Sequence, residues 1–367
     1  MVSYFIVAFL SVTDRTTVQL FQKYIVLTLC ICLSQVPFAV EADFLASLKN
    51  ERIPLKAQVL SGEQLVKYLK KNQDLFEAEI TAHSFNVKHK LMDLKFLNQN
   101  RKPVVEDLYD NGNDIPESFD ARTKWSNCSS LTHIYDQANC GSSWAVSTAA
   151  ALSDRICIAS KGVKQVQVSS IVFVSCCHSC GYGCVGGWPL EAFQFFSTQG
   201  AVTGGDYGDK DCCRPYPFHP CGRHGNETYY GECPEDEVET PPNCIRQCQM
   251  TYKKSYRNDR IVGKDAYELP NSVKAIQREI MTNGPVVAVF TVYDDFSYYV
   301  RGIYMHRAGE ARGVHAVKII GWGTERGVPY WIIANSWHND WGEKGYFRML
   351  RGSNHCGIEE NVVAGHV

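Results

Sequence analysis

The spacing of apolar residues changes character several times along the chain. Residues 24–33 are almost wholly apolar, with Lys23 before them and the small residues Ala39 and Ala42 after them. Over residues 63–71, Leu65, Tyr68 and Leu69 fall three and four apart, which predicts a short helix with one apolar face. From residue 143 an Ala-rich run spreads Trp144, Val146, Leu152, Ile156 and Cys157 over a broad face, predicting a buried helix across 143–158. After residue 285 the pattern shortens. Residues 285–293, 315–322, 328–335 and 345–350 are short runs rich in Val, Ile and aromatics, broken by Gly turns such as 321–327, and they predict strands. The Gly- and Cys-rich stretch 176–250 reads as loop held by cross-links. Helix-rich sequence followed by strand-rich sequence predicts an α+β fold with a cleft between two halves.

Length and composition narrow the class. The chain has 367 residues, enough for two ordinary domains of roughly 150 residues each. Lys+Arg 37 against Asp+Glu 39 leaves no polybasic argument for a nucleic-acid or membrane-surface partner. A 45% hydrophobic, 12% aromatic chain buries a sizeable core and is not disordered. The run at 24–33 is well short of the ~20 residues of a membrane span, so it predicts a secretory signal within a leader over 1–42. Residues 1–22, with their own apolar patch at 4–10, have no assigned role. Secretion or delivery to a lysosome follows as the expected destination.

Residues 43–114 contain no cysteine and are rich in Lys, Glu, Asn and Gln, ending in Asp110-Asn-Gly-Asn-Asp114. They read as a removable pro-segment on an exposed tether, with the compact part starting near Pro116. Sixteen cysteines are the compositional excess, and the fourteen from Cys128 to Cys356 are an even set, compatible with seven bridges or with six and two thiols. In a secreted chain they read as a disulfide framework. The irregular cluster Cys176, Cys177, Cys180 and Cys184 around His178 fits that better than a zinc site. Cys128, Cys157, Cys213, Cys221, Cys233, Cys244 and Cys248 are the remaining disulfide candidates beside Cys140. Asn127-Cys-Ser129 and Asn226-Glu-Thr228 are glycosylation candidates.

Three segments carry chemistry: Asp136-Gln-Ala-Asn-Cys140-Gly-Ser-Ser143-Trp144 before the long helix, His315 opening a strand, and Asn335-Ser336-Trp337 closing another. A nucleophile at a helix start is helped by the positive end of the dipole and by nearby N–H donors. A histidine across the cleft moves its proton, and an amide oxygen fixes the histidine's tautomer.

In this order the segments resemble the papain family, and closely its cathepsin B branch. The resemblance covers residues 115–367, from Ile115-Pro-Glu-Ser-Phe-Asp-Ala-Arg122 through Gly186-Gly187, Cys213-Arg-Pro-Tyr216, Gly321-Trp-Gly323 and Asn335-Ser-Trp337. It implies a papain-like two-domain fold, with a helical left half over about 120–265, a β-barrel-like right half over about 266–350, and a tail crossing back. It implies that Gln137 donates to the oxyanion, His315 is the acid/base, Asn335 orients it, Trp337 shields that bond, and Gly186 and Gly187 line the substrate. Cys140 is implied to pair with Cys184, and residues 221–233 to form an occluding-type loop. Residues 330–337 and 340–343 are similar to gut cathepsins of blood-feeding worms.

Departures from the pattern stand at the chemistry. Where the family has its nucleophilic cysteine, this chain has Ser143. Val314 and Ala138 replace glycines, Arg223 precedes the retained His224, and Asn361 takes the place of a pocket glutamate. Cys212 has no assigned partner, with Cys356 as the leftover. The family depends on a thiol taken from about 8.5 to about 3–4, roughly 7 kcal/mol of differential stabilisation. An alcohol comparable to water, at ~15.7, stays un-ionised with the same help. The expectation is a peptide-binding pseudopeptidase, with turnover lower by on the order of 10³ or more. The alternatives are a slow serine nucleophile, or an ordinary cysteine-type peptidase whose cysteine was exchanged by engineering or sequencing error. Expected partners are peptides or proteins in the cleft, the chain's own pro-segment and cystatin-type inhibitors, around a monomer. No cofactor, metal, nucleic acid or membrane span is expected.

Overall fold

The structure, a computed structural model, describes residues 52–85, 87–97 and 115–367. The expected leader over 1–42, with its signal, and the tether at 110–114 lie outside the described residues. Helices of seven residues or more are numbered α1 (Gly62–Asn72), α2 (Ser143–Ala159), α3 (Ser170–Cys176), α4 (Pro189–Thr198) and α5 (Val273–Asn283). Strands are β1 (Phe76–Ala78), β2 (Phe119–Asp120), β3 (Tyr267–Glu268), β4 (Val286–Tyr293), β5 (Tyr299–Tyr304), β6 (Ala311–Glu325), β7 (Val328–Ala334), β8 (Tyr346–Leu350) and β9 (Val362–Ala364).

Helix α2 organises one half. It is apolar or small on nearly every side, so it sits inside the protein, and each residue from Ser143 to Cys157 is buried. It packs against α3 and α4 on one flank and β6 on the other. Two buried ion pairs tie it to its neighbours. Lys318 Nζ on β6 lies 2.6 Å from Asp154 Oδ2, and Arg155 bonds Glu279 of α5 at 2.8 Å while also donating to the Pro285 and Gly284 carbonyls.

The strand-rich half is one sheet in the order β1-β5-β8-β7-β6-β4-β9-β3, with β2 paired to β6. Only β5 and β8 run parallel among these pairs. β6 is longer than its apolar run because its polar start at Ala311–Arg312 pairs with the end of β4. After β9 the chain returns to the helical half, where a side chain at Gly365 would meet Phe193 of α4.

The 176–250 stretch is not all loop, because α4 lies within it. Pro189 occupies the first turn, where its missing N–H costs nothing, and Leu190, Ala192, Phe193 and Phe196 bury one face. The surrounding Gly and Cys residues mask that short period in the sequence. Six disulfides cross-link the described residues: Cys128–Cys157, Cys140–Cys184, Cys176–Cys244, Cys177–Cys180, Cys213–Cys248 and Cys221–Cys233. Cys212 and Cys356 are thiols, and burial pushes Cys212 up to about 12.

The amino-terminal segment joins both halves. On α1, Leu65, Val66 and Leu69 are buried with Tyr68 at the margin, as the three–four spacing predicts. β1 adds an edge strand to β5, and Phe76 stacks on Tyr299 and meets Tyr304 edge-on. No helix among the described residues is long and apolar enough to cross a membrane.

Candidate active site

The loop before α2 is pinned from three sides. The Cys140–Cys184 bridge ties it to the Gly186 loop. The Tyr216 hydroxyl donates to the Gln137 carbonyl at 2.9 Å and accepts from Ser142 at 2.7 Å. Gln137 N–H donates to the Ser336 carbonyl at 3.0 Å. Ala138 holds φ at +54°, a left-handed backbone ordinarily left to glycine, and its N–H donates to Asp136 Oδ1 at 2.7 Å. The buried Ser143 then opens α2, and its Oγ accepts from the Ala316 N–H at 3.2 Å.

His315 projects from β6, one residue from that contact. Its Nε2–H donates to Asn335 Oδ1 at 2.7 Å, and the Ser336 N–H fixes the same oxygen at 2.8 Å. The ring of Trp337, itself buried, lies 4.7 Å from the imidazole. Burial pushes His315 down to about 4, the Asn335 bond opposes that, and the Lys90 charge reinforces it. The ring is therefore neutral, with its hydrogen on Nε2 and a lone pair on Nδ1. Nδ1 has no hydrogen-bond partner among the described residues.

Gln137 presents its amide with one orientation, because Ser336 Oγ donates to Oε1 at 2.7 Å. Its Nε2 donates to the carbonyls of Cys140, at 2.7 Å, and of Lys90, at 2.8 Å. Lys90 belongs to the amino-terminal segment, which fills the cleft. Met92 and Val314 exchange both backbone hydrogen bonds, at 2.9 and 3.0 Å. Phe96 packs edge-on to Trp188 and lies over Gly186, where φ is +138° and a side chain would strike the Phe96 ring. A side chain at Gly187 would instead strike Trp144. Lys90 Nζ is 3.8 Å from Asp136 Oδ1, with both side chains almost fully buried.

Ser143, His315, Asn335, Gln137 and Trp337 thus converge, with Val314 and Gly186 on the walls. Asn361 is buried beside β4, its carbonyl accepting from Val289, which pairs with Ala316. His224 is buried, whereas Arg223 is exposed and stacks over Tyr229. A cavity of about 650 Å³ adjoins the loop 221–233, lined in part by Asp136, Phe218, His224, Asn226 and His338. Asn127 and Asn226 are both exposed. Sequence reasoning missed Lys90, Met92 and Phe96. Their one local signal is the run of apolar residues Leu91, Met92, Leu94, Phe96 and Leu97 in an otherwise polar segment.

A helix-led half and a sheet-led half, meeting at a histidine–asparagine pair under a tryptophan, define a papain-type peptidase. The chain belongs to that family: the papain family cysteine protease pattern matches residues 115–366. Within it the chain falls in the cathepsin B-like branch. It is 59% identical over 349 residues to cathepsin B-like cysteine proteinase 1 of Ostertagia ostertagi, covering 94% of this chain and 99% of that one. Identity to cathepsin B-like cysteine proteinase 1 of Haemonchus contortus is 55% over 346 residues, covering 94% and 98%. Among solved structures, proCathepsin B S9 from Trypanosoma congolense matches with a TM-score of 0.68 at 34% identity, covering 84% of this chain and 99% of that one. The segment in the cleft is accordingly a pro-segment, and peptides are the substrate class of the family.

Proposed function

We propose that this cathepsin B-like protein binds peptides in its cleft but cleaves them weakly or not at all, because Ser143 stands where the family's thiol nucleophile belongs. The observation that carries this reading is the partnership around Ser143. Its Oγ accepts from the Ala316 N–H and makes no hydrogen bond to the neutral His315, whose Nδ1 is without a partner among the described residues and whose Nε2 is held by the amide of Asn335, not by a carboxylate. A thiol in this setting is ionised in advance by an imidazolium and the helix end. An alcohol is not, and needs its proton removed as it attacks. Serine peptidases supply a carboxylate to stabilise the imidazolium formed in that step, and a neutral amide does this poorly.

The rest of the binding apparatus supports a retained peptide site. Gln137 keeps an oriented donor, and Val314 offers a backbone pairing edge that the pro-segment already uses. Ligands in this reading are extended peptides, the pro-segment and cystatin-type inhibitors. The protein is secreted through the signal at 24–33, with Asn127 and Asn226 as accessible glycan acceptors.

The test is to purify the secreted protein and its Ser143→Cys variant, remove the pro-segment from both, and assay dipeptide and protein substrates side by side. The expected result is turnover in the variant exceeding the parent's by on the order of 10³ or more. Comparable rates would overturn the proposal and make Ser143 a working nucleophile.

A further inference from the structure

We propose that His83, His224 and Asp340 form a binding site for one zinc-class divalent cation, which clamps the pro-segment onto the disulfide loop 221–233. The three residues come from separate pieces of chain. His83 sits in the pro-segment turn Ala82–Phe85, His224 in the loop closed by Cys221–Cys233, and Asp340 in the turn after Trp337. Their donor atoms all lie within 4.8 Å of one another. Asp340 Oδ1 is 3.4 Å from His83 Nε2 and 3.1 Å from His224 Nδ1. A tetrahedral zinc ion with bonds of about 2.0–2.1 Å holds its ligand atoms about 3.4 Å apart, close to the two separations from Asp340.

The contacts around the cluster gather nitrogen and oxygen atoms of the kind that hold a cation. His224 Nε2 is 3.0 Å from the Cys221 carbonyl, which requires the ring hydrogen there. Its Nδ1 lies 3.1 and 3.2 Å from the two oxygens of Asp340. A cation bound here would take the place of the ring proton between that nitrogen and the carboxylate, with the Nε2 bond to the Cys221 carbonyl left intact. His338 supplies the outer support that metal-binding carboxylates have. Its ring lies 3.9 Å from that of His224, its Nδ1 is 2.9 Å from Asp340 Oδ1, and its Nε2 is 3.2 Å from Glu227 Oε2. His224 is 4% exposed, whereas His83 and Asp340 are 21% and 29% exposed, which gives the ion a floor and an entry side. Two imidazoles and one carboxylate suit zinc, copper or nickel rather than calcium or magnesium, and leave a fourth position for water.

One ligand belongs to the removable segment, so cation binding and pro-segment docking strengthen each other reciprocally. The site shares no hydrogen bond with Ser143, His315 or Asn335 among the described residues. It therefore stands or falls independently of the reading of Ser143.

The test uses the purified full chain with its pro-segment, titrated with zinc chloride and separately with cobalt(II). The expected result is one zinc per chain and the intense visible absorption of tetrahedral cobalt. His83→Ala and Asp340→Asn are expected to weaken binding at least tenfold, and His338→Ala by about tenfold through its supporting role. His89→Ala is the matched pro-segment control and leaves binding unchanged. Zinc is also expected to slow proteolytic release of the pro-segment in the parent and not in His83→Ala. No stoichiometric uptake, octahedral cobalt only, or binding unaffected by His83→Ala would overturn the proposal. Should a variant fail to fold, the parent's cobalt spectrum decides.

Discussion

The backbone carbonyl of Lys90 accepts at 2.8 Å from Nε2 of Gln137, the donor that our proposed reading assigns to a developing oxyanion. The pro-segment thus closes the site with a peptide carbonyl, and Met92 extends the blockade by pairing with Val314. Ser336 fixes which way the Gln137 amide faces by donating to its oxygen at 2.7 Å. The geometry that silences the cleft is the one that would bind a peptide.

Lys90 is expected to be an anchor for that blockade. Its ammonium is 3.8 Å from Asp136 Oδ1 in a nearly dry setting. Lys90→Met removes the partner of a buried carboxylate, at a cost of about 2 kcal/mol to docking, or roughly thirtyfold. Limited proteolysis of the pro-segment in the full chain measures this, and an unchanged cleavage rate would show the pair to be inconsequential.

The depressed His315 makes folding stability depend on pH with a definite sign. Between about pH 6.5 and 4 the unfolded chain binds a proton that buried His315 does not, so stability rises with pH across this window. The contribution is present above about 6.5 and is lost as pH falls toward 4, with a ceiling of about 3 kcal/mol. His355 is also held down to about 4, chiefly by burial, and adds to the same slope. Denaturant unfolding of the parent and of His315→Gln over this range isolates the first part. Parallel pH profiles would contradict it.

The missing carboxylate behind the imidazole gives a gain-of-function test. Asn335→Asp, with Ser143 retained, places a negative charge on the Nε2 side of His315. Labelling of Ser143 by a fluorophosphonate probe is expected to rise at least tenfold, because a carboxylate stabilises the imidazolium that forms. Labelling no faster than the parent's would mean that something other than Asn335 limits the serine.

The Lys318–Asp154 pair under the site is expected to be essential as a pair and dispensable as a unit. Both side chains are fully buried and 2.6 Å apart. Lys318→Met strands the Asp154 charge and is expected to cost about 3–5 kcal/mol, whereas Lys318→Met with Asp154→Leu recovers most of the loss. Chemical denaturation of the three proteins decides; a double variant as unstable as the single one would refute the idea.

How legible each feature was depends on how local its cause is. Helix α2 was readable because an Ala-rich run apolar on nearly every side has one home, the interior. The four main strands were readable from β-branched and aromatic runs between glycine turns. Helix α4 was obscured because its apolar spacing lies among cysteines and glycines that signal loop. The three-residue β1 was missed because what makes it a strand is the exposed edge of β5, more than 200 residues away in sequence.

The sequence by itself determined the α+β class, the order of the chemical groups, and the oxygen at residue 143, because residue identity and short-range periodicity are written in the chain. Tertiary structure alone decided that Lys90 occupies the Gln137 donor, that burial holds His315 neutral, and that His83 meets His224 and Asp340. Each of those depends on which surfaces exclude water together, a property of the packed molecule rather than of any window of residues.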